Sequence, residues 1–307
     1  MLRLGLCCLF VDAPIQFRTA THKHVATLGP DGGRAYLSGA ARANADALRR
    51  AVERCHALGI GAFRITSGIL PLATHPISGY TVASLDDGAT IGRAFETVRP
   101  LARALDVRLS FHPDQFVVLN SERESVRDAS ARELEFQCEV AEVVGADTVT
   151  LHAGGGAGGK PAALDRLTRT IDTLSDRARA RLALENDDRI FTVEDLLPIC
   201  VRTGVPLVYD AHHHRCNPDA LTVDEATDRA AATWAVRDAA LGPHAHEPWF
   251  HISSPRDGWG APNPRPHADY IDPADVPDAW RDLTLTVDVE AKAKERAVLD
   301  LMERLRR

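Results

Sequence analysis

Leu182-Ala183-Leu184-Glu185-Asn186-Asp187-Asp188 is an apolar run that stops abruptly on a run of polar residues. Shortly after it, Thr192 opens a helical pattern, Val193–Thr203, with Asp195 at the third helical position and Gly204 just past the end. A threonine there accepts from the first free backbone amides while the acid bonds back, and glycine suits the left-handed residue that ends a helix. Pro206–Tyr209 is then a second apolar run. The stretch reads as strand, polar strand end, loop, capped helix and strand, which is one turn of a parallel α/β fold.

The same unit recurs in both directions. Strands are expected at Leu2–Leu6, Ala62–Ile65, Arg108–Phe111, Thr148–Leu151, Leu182–Leu184, Pro206–Tyr209, Trp249–Ile252 and Leu285–Val289. Helical patterns lie between them at Ala43–Leu58, Ile91–Leu105, Ser125–Val144, Leu164–Leu174 and Val193–Thr203, with Glu290–Leu305 at the end. Gly59 and Gly145 stand where two of those helices should stop, as Gly204 does. Strand–helix alternation implies parallel pairing through right-handed crossovers. Eight units predict an α/β fold of the closed (β/α)8 TIM-barrel type, a single domain over residues 1–307. An open doubly wound sheet is the competitor, but no GxGxxG follows the first strand, which weakens its dinucleotide-binding version. Two segments break the rhythm and are read as insertions, 16–41 and 254–275.

A chain of 307 residues, 45% hydrophobic and 26% charged, can bury a large core without staples. The net charge of −7 argues against a broadly basic nucleic-acid coat protein. It does not exclude DNA, because steering needs only a local positive patch and bound cations add charge that composition omits. Six cysteines with no CxxC pair, no signal-peptide pattern and no long apolar run predict a reduced, cytoplasmic protein that does not span a membrane.

The chemistry sits where the strands end. His112-Pro113-Asp114-Gln115-Phe116 follows strand three, His152-Ala153-Gly154-Gly155 strand four, Glu185-Asn186 strand five and Asp210-Ala211-His212-His213-His214 strand six; His251 lies in strand seven and Glu290 follows strand eight. In a (β/α)8 barrel these ends share one rim. Imidazole and carboxylate suit Zn, Mn or Fe, and so many donors exceed what one tetrahedral ion needs, so a cluster of two or three ions bridged by Glu185 or Glu290 is expected. His212, His213 and His214 cannot all face inward, and His213 or His214 is the better ligand. His22, His24, His56, His244 and His246 lack a strand-end context and are expected to be solvated or capping. The Gly154–Gly159 run reads equally as a phosphate cradle or a plain turn, and Ser253 and Ser254 lack the spacing of a serine nucleophile.

Ser67-Gly68-Ile69-Leu70-Pro71-Leu72-Ala73-Thr74-His75-Pro76, the His112–Phe116 string, Leu184-Glu185-Asn186-Asp187-Asp188, His251-Ile252-Ser253-Ser254-Pro255, His267-Ala268-Asp269-Tyr270 and Glu290-Ala291-Lys292 run in that order along the chain. Together they resemble the UV-damage endonuclease family, metal-dependent barrels related to endonuclease IV and to the xylose-isomerase-like enzymes. The resemblance implies a DNA-repair enzyme that incises the phosphodiester 5′ of UV photoproducts and other bulky lesions, leaving a 3′-hydroxyl, with damaged double-stranded DNA as partner and a monomer as the working form. It implies two or three divalent ions, manganese first, with zinc, magnesium or iron as alternatives. Glu185, Asp210, His251 and Glu290 would hold one ion; His112 and His152 a second, with Glu185 bridging; His213 and His267 a third. Catalysis would fall to Glu185, Glu290 and His251, and DNA contacts to Gln115, Phe116, His75 and Asn186. Gln115 and Phe116 match the pair that wedges into the duplex. The chain departs from the family at Trp249, where lysine is frequent, at Cys7-Cys8-Leu9-Phe10, where polar residues are usual, and at Phe116, where tyrosine is common.

The alternative reading is a small-molecule isomerase, epimerase or iron-dependent oxidase on the same barrel; a metal-binding protein without activity is a third. An aromatic wedge beside an open groove lined by Arg and Lys would favour the nuclease. A closed pocket capped by the 16–41 segment would favour the small-molecule enzyme.

Overall fold

The structure is a computed structural model that describes residues 2–306, so the two ends of the expected 1–307 domain lie outside the described residues. Its strands are β1 (Leu2–Cys7), β2 (Ala62–Ile65), β3 (Arg108–Phe111), β4 (Thr148–His152), β5 (Leu182–Glu185), β6 (Leu207–Val208), β7 (Trp249–Ile252) and β8 (Leu285–Val289). They form one parallel sheet in the order β6-β5-β4-β3-β2-β1-β8-β7, with β1 and β8 in register from Leu2↔Leu285 to Leu6↔Val289. The ring closes between β6 and β7 through a single parallel bridge, Asp210↔His251, and the His251 amide donates to the Tyr209 carbonyl at 3.0 Å. This is the expected TIM barrel.

The helices are α1 (His22–Thr27), α2 (Gly29–Leu58), α3 (Gly88–Glu96), α4 (Val98–Ala104), α5 (Glu124–Val144), α6 (Lys160–Thr173), α7 (Asp176–Arg181), α8 (Val193–Thr203), α9 (Ala211–Cys216), α10 (Val223–Ala232) and α11 (Glu295–Leu305). Thr192 and Asp195 form the expected capping box on α8, and Gly59, Gly145 and Gly204 take left-handed conformations at helix ends. Several boundaries differ from expectation: the expected Ile91–Leu105 helix is split into α3 and α4, and α6 starts at Lys160 rather than Leu164. Much of the 16–41 segment is helical, because α2 starts at Gly29 rather than Ala43. Small and polar residues mask that early amphipathic face, yet Gly33, Leu37, Ser38, Ala40 and Ala41 are buried. Conversely α11 starts at Glu295, leaving Glu290 at the strand end rather than in a helix. The 254–275 segment is largely irregular, ends in a 3-10 turn at Pro273–Asp275 and is pinned by an antiparallel bridge Pro255↔His267.

The N-terminal end of the barrel is plugged. Ala62, Ala183, Val208, Trp234 and Trp249 form a buried cluster there. Arg108, at the start of β3, places its guanidinium 4.6 Å from the Trp249 ring and 5.6 Å from Trp234. It pairs with Asp147 at 2.8 Å, and Arg237 donates to the Asp147 carbonyl at 2.5 Å and lies 3.9 Å from its carboxylate. Trp249 therefore belongs to this plug. Among the described residues no helix is long and apolar enough to cross a membrane.

Asp147→Asn should destabilise the fold by about 3–5 kcal/mol, since it strands two buried guanidinium groups without their counter-ion. Burial raises the Asp147 pKa, but Arg108 and Arg237 overcome that and hold it below the ordinary value. Its contribution is therefore complete above the unfolded pKa of about 3.9 and is lost as pH falls through the lower folded one. Urea denaturation from pH 3 to 7 should show this acid limb weakened in the variant; superimposable curves would contradict the role.

Candidate metal centre

Glu185 ends β5, fully buried, and its two oxygens are shared among imidazoles from four other strand ends. His112 Nε2 lies 2.8 Å from Oε2 and His152 Nε2 3.5 Å from the same atom. His251 Nδ1 lies 2.9 Å from Oε1 and His213 Nδ1 3.4 Å from it. Parallel strands with a common register deliver this convergence, since His152 and Glu185 are direct partners in the β4–β5 ladder. Two compact donor triads result, His112–His152–Glu185 and Glu185–Asp210–His213.

Glu290 and His267 form the outer part of the cluster. Glu290 Oε1 lies 3.5 Å from His251 Nδ1, and Oε2 lies 3.6 Å from His267 Nδ1. His267 therefore reaches Glu290, while its ring centroid is 6.5 Å from that of His213, so the expected third pair is looser than the two triads. Of the three consecutive histidines, His213 enters the cluster. His214 is tied to the Tyr209 hydroxyl at 2.7 Å and to Asp219 at 3.2 Å, and His212 lies against the Arg265 carbonyl at 3.3 Å. His22, His56 and His244 take local partners: Ser78, the Leu105 carbonyl, and Asp106 with Glu247.

Asn186 and His75 stand differently from a plain DNA contact. Asn186 is fully buried, and both ends of its amide bind the Asp210 backbone, donating to the carbonyl at 2.9 Å and accepting from the amide at 3.0 Å. It is a strut for Asp210. His75 Nδ1 accepts from the amides of Ile77 and Ser78, and the ring stacks on His22 at 4.6 Å. Gln115 and Phe116 are exposed on the loop after β3, Phe116 by 79%. The Gly154–Gly155 turn is held by Asn120, whose amide donates to the Gly155 carbonyl and accepts its N–H, so its local role is structural.

Sequence reasoning passed over Arg64 and Asp288. Arg64 donates to Glu290 Oε1 at 2.5 Å and faces Asp288 at 3.8 Å. Asp288, buried in β8, also faces His251 Nε2 at 3.6 Å. Gly5 makes room for it, because a Cβ there would lie 2.5 Å from its Oδ1. A lone charge inside an apolar strand, Arg64 in β2 or Asp288 in β8, was the signal available.

Four buried or nearly buried carboxylates, Glu185, Asp210, Asp288 and Glu290, thus share the centre, and Arg64 pairs with two of them, Asp288 and Glu290. Burial pushes Glu185 upward, but the charges of His152 and His251 and the bonds from His112 and His213 hold it well below the usual carboxylate range. Burial lowers His251, yet Glu185, Glu290 and Asp288 bring it up to about 9. Burial raises Asp288, with Glu290 adding to it, and Arg64, His251 and Trp249 oppose the rise only in part. Asp210 Oδ2 is buried without a hydrogen-bond partner, although the other oxygen accepts from the His213 amide at 2.7 Å. An unmatched carboxylate oxygen inside a ring of imidazoles is what a divalent cation would satisfy.

A TIM barrel with a carboxylate–imidazole centre at its C-terminal mouth defines the class: a metal-dependent barrel enzyme. Residues 2–307 match the family described as UV-endonuclease UvdE, and the chain belongs to that family. It is 35% identical to the UV DNA damage endonuclease of Deinococcus radiodurans over 97% of this chain and 94% of that protein. It is 30% identical to the UV DNA damage endonuclease of Bacillus velezensis over 97% of this chain and 91% of that protein. The crystal structure of SacUVDE superposes with a TM-score of 0.83 at 24% identity, covering 100% of this chain and 98% of that one, a likeness of fold.

Glu185→Gln should retain the fold and lose most of its divalent-metal uptake, because one side chain belongs to both donor triads. His152→Ala should lose less. Metal content after gel filtration, with circular dichroism as control, checks this; two variants with full metal content would contradict the assignment.

Proposed function

We propose that this DNA-repair endonuclease incises the phosphodiester immediately 5′ of UV photoproducts and other bulky lesions, with Glu185 at the centre of its metal cluster. The observation that carries the reading is the sharing of both Glu185 oxygens among four imidazoles, with the unmatched Asp210 oxygen alongside. His112, His152, Glu185, Asp210, His213, His251, His267 and Glu290 would hold two or three divalent ions, manganese being the proposed metal. When bound, such ions supply positive charge to the phosphoryl and leaving oxygens and make water acidic enough to attack near neutral pH.

The chain's own residues prepare the site. Glu185 presents each of its oxygens to a different pair of rings, so it would serve both donor triads. Asn186 fixes the Asp210 backbone and so aims its carboxylate. Arg64 holds Glu290 by one oxygen, which leaves the other toward His267. The loop that begins with His112 also carries Gln115 and Phe116 at exposed positions. Four residues of extended chain span about 14 Å at most, so wedge and ligand are held at a limited distance. Inserting a side chain into a duplex costs a few kcal/mol of unstacking and least where damage has already broken the stack. That difference selects lesions without reading sequence.

The small-molecule alternative is less supported. The family match runs the length of the chain, and much of the 16–41 segment is helix tied to the segment after β2 through the His22–Ser78 and Ser38–Asp86 hydrogen bonds rather than an irregular lid. We further propose a cytoplasmic monomer; all six cysteines are free, as suits a reducing compartment.

With manganese, the protein should nick UV-irradiated duplex and leave unirradiated duplex intact, and chelation should abolish the nick. Absence of any nick from metal-loaded protein would overturn the reading. Phe116→Ala should weaken binding to damaged duplex about tenfold, as expected for loss of one stacking contact, with metal content unchanged; equal affinity would remove the wedge.

A further inference from the structure

Among the described residues, six of the nine exposed large hydrophobic side chains lie in loops that follow strands: Leu9, Val11, Ile77, Phe116, Trp259 and Tyr270. All six are on the face of the barrel that holds the metal centre. Trp259 stands apart from the other tryptophans. It is 39% exposed, whereas Trp234, Trp249 and Trp280 are each 0% exposed.

Trp259 is held in place rather than loosely attached. It lies in the irregular loop after β7, between Gly258 and Gly260, and the base of that loop is pinned by the Pro255↔His267 bridge. Its indole nitrogen donates to Asp275 Oδ1 at 2.8 Å, and the buried Asp275 carboxylate is itself held by the Ser254 hydroxyl at 2.5 Å. The Arg215 guanidinium lies 5.6 Å from the Trp259 ring, and Arg215 donates to the Asp275 carbonyl at 2.7 Å. The buried His212 ring is 5.1 Å away, and His212 in turn is 5.3 Å from the His267 ring. A fixed, partly open indole therefore stands two ring contacts from a proposed metal ligand.

Its place in the ring of strands gives it a counterpart. From β3 to β7 is four steps by either route around the barrel, so Phe116 and Trp259 rise from opposite sides of the mouth. The geometry points to Trp259 as a stacking platform for a nucleobase displaced from the duplex, received across the metal centre from the side chain that displaces it. Any base offers a π-face, so the contact tolerates sequence and suits an enzyme that selects by damage. Arg215 strengthens it by leaving cationic charge beside the ring. The inference rests on the nuclease reading above and assigns that site a second aromatic contact.

Because the other three indoles are buried, acrylamide-accessible emission reports on Trp259 alone. Saturating the metal-loaded protein with damaged duplex should quench that emission and protect it from acrylamide. Trp259→Ala should raise Kd for damaged duplex by about 5- to 100-fold, the range of one base–aromatic stack. Metal content should stay at the wild-type value, and Trp259→Phe should recover most of the affinity. Unchanged emission and acrylamide access on a protein that binds damaged duplex would overturn the platform and leave the nuclease reading intact. So would equal affinity in Trp259→Ala. Failure to bind damaged duplex at all would overturn both.

Discussion

Glu185 is a carboxylate taken wholly out of water and met by four imidazoles from other strand ends. In a medium of low polarity an unpaired anion is intolerable, so its surroundings must bring positive charge. The imidazoles do this in part, as the raised pKa values of His251 and His213 show. Asp210, Asp288 and Glu290 add to the demand, and Arg64 answers only some of it. The barrel thus folds around a concentration of negative charge that divalent ions relieve. The fold and the chemistry share one requirement.

That requirement reaches into the architecture. Of the eight strand-to-strand seams, the one between β6 and β7 is the thinnest, because β6 is two residues long. It is joined at Asp210 and His251, both members of the cluster. Asn186, one residue beyond Glu185, binds the Asp210 backbone from the β5 side. Residues expected to act on a phosphodiester also complete the ring of strands, so binding an ion and closing the barrel reinforce each other.

Much of this was legible in the sequence because strand ends are local. The apolar run that breaks at Glu185 and the capped helix from Thr192 to Gly204 carry their own physics, and the structure reproduces them. His112, His152, His251 and Glu290 were visible for the same reason. What stayed hidden depended on distant partners. Arg64 is one polar residue in a short strand until β8 brings Glu290 beside it. Asn186 looks like a surface amide until Asp210 folds over it. The early turns of α2, rich in glycine and alanine, show their buried face only once α1 and the segment after β2 cover it. The wedge residues carry a family resemblance but no geometric signature, since an exposed phenylalanine looks the same whatever it is for.

The plug of Trp234, Trp249 and Arg108 has an effect beyond stability. With indoles fully buried across the floor, the barrel has a single entrance. Under the proposed function, ions and water would share that opening with the substrate, and a duplex lying across it would act as a stopper. Ions held there would then exchange with the surrounding solution in the interval between one cut and the next.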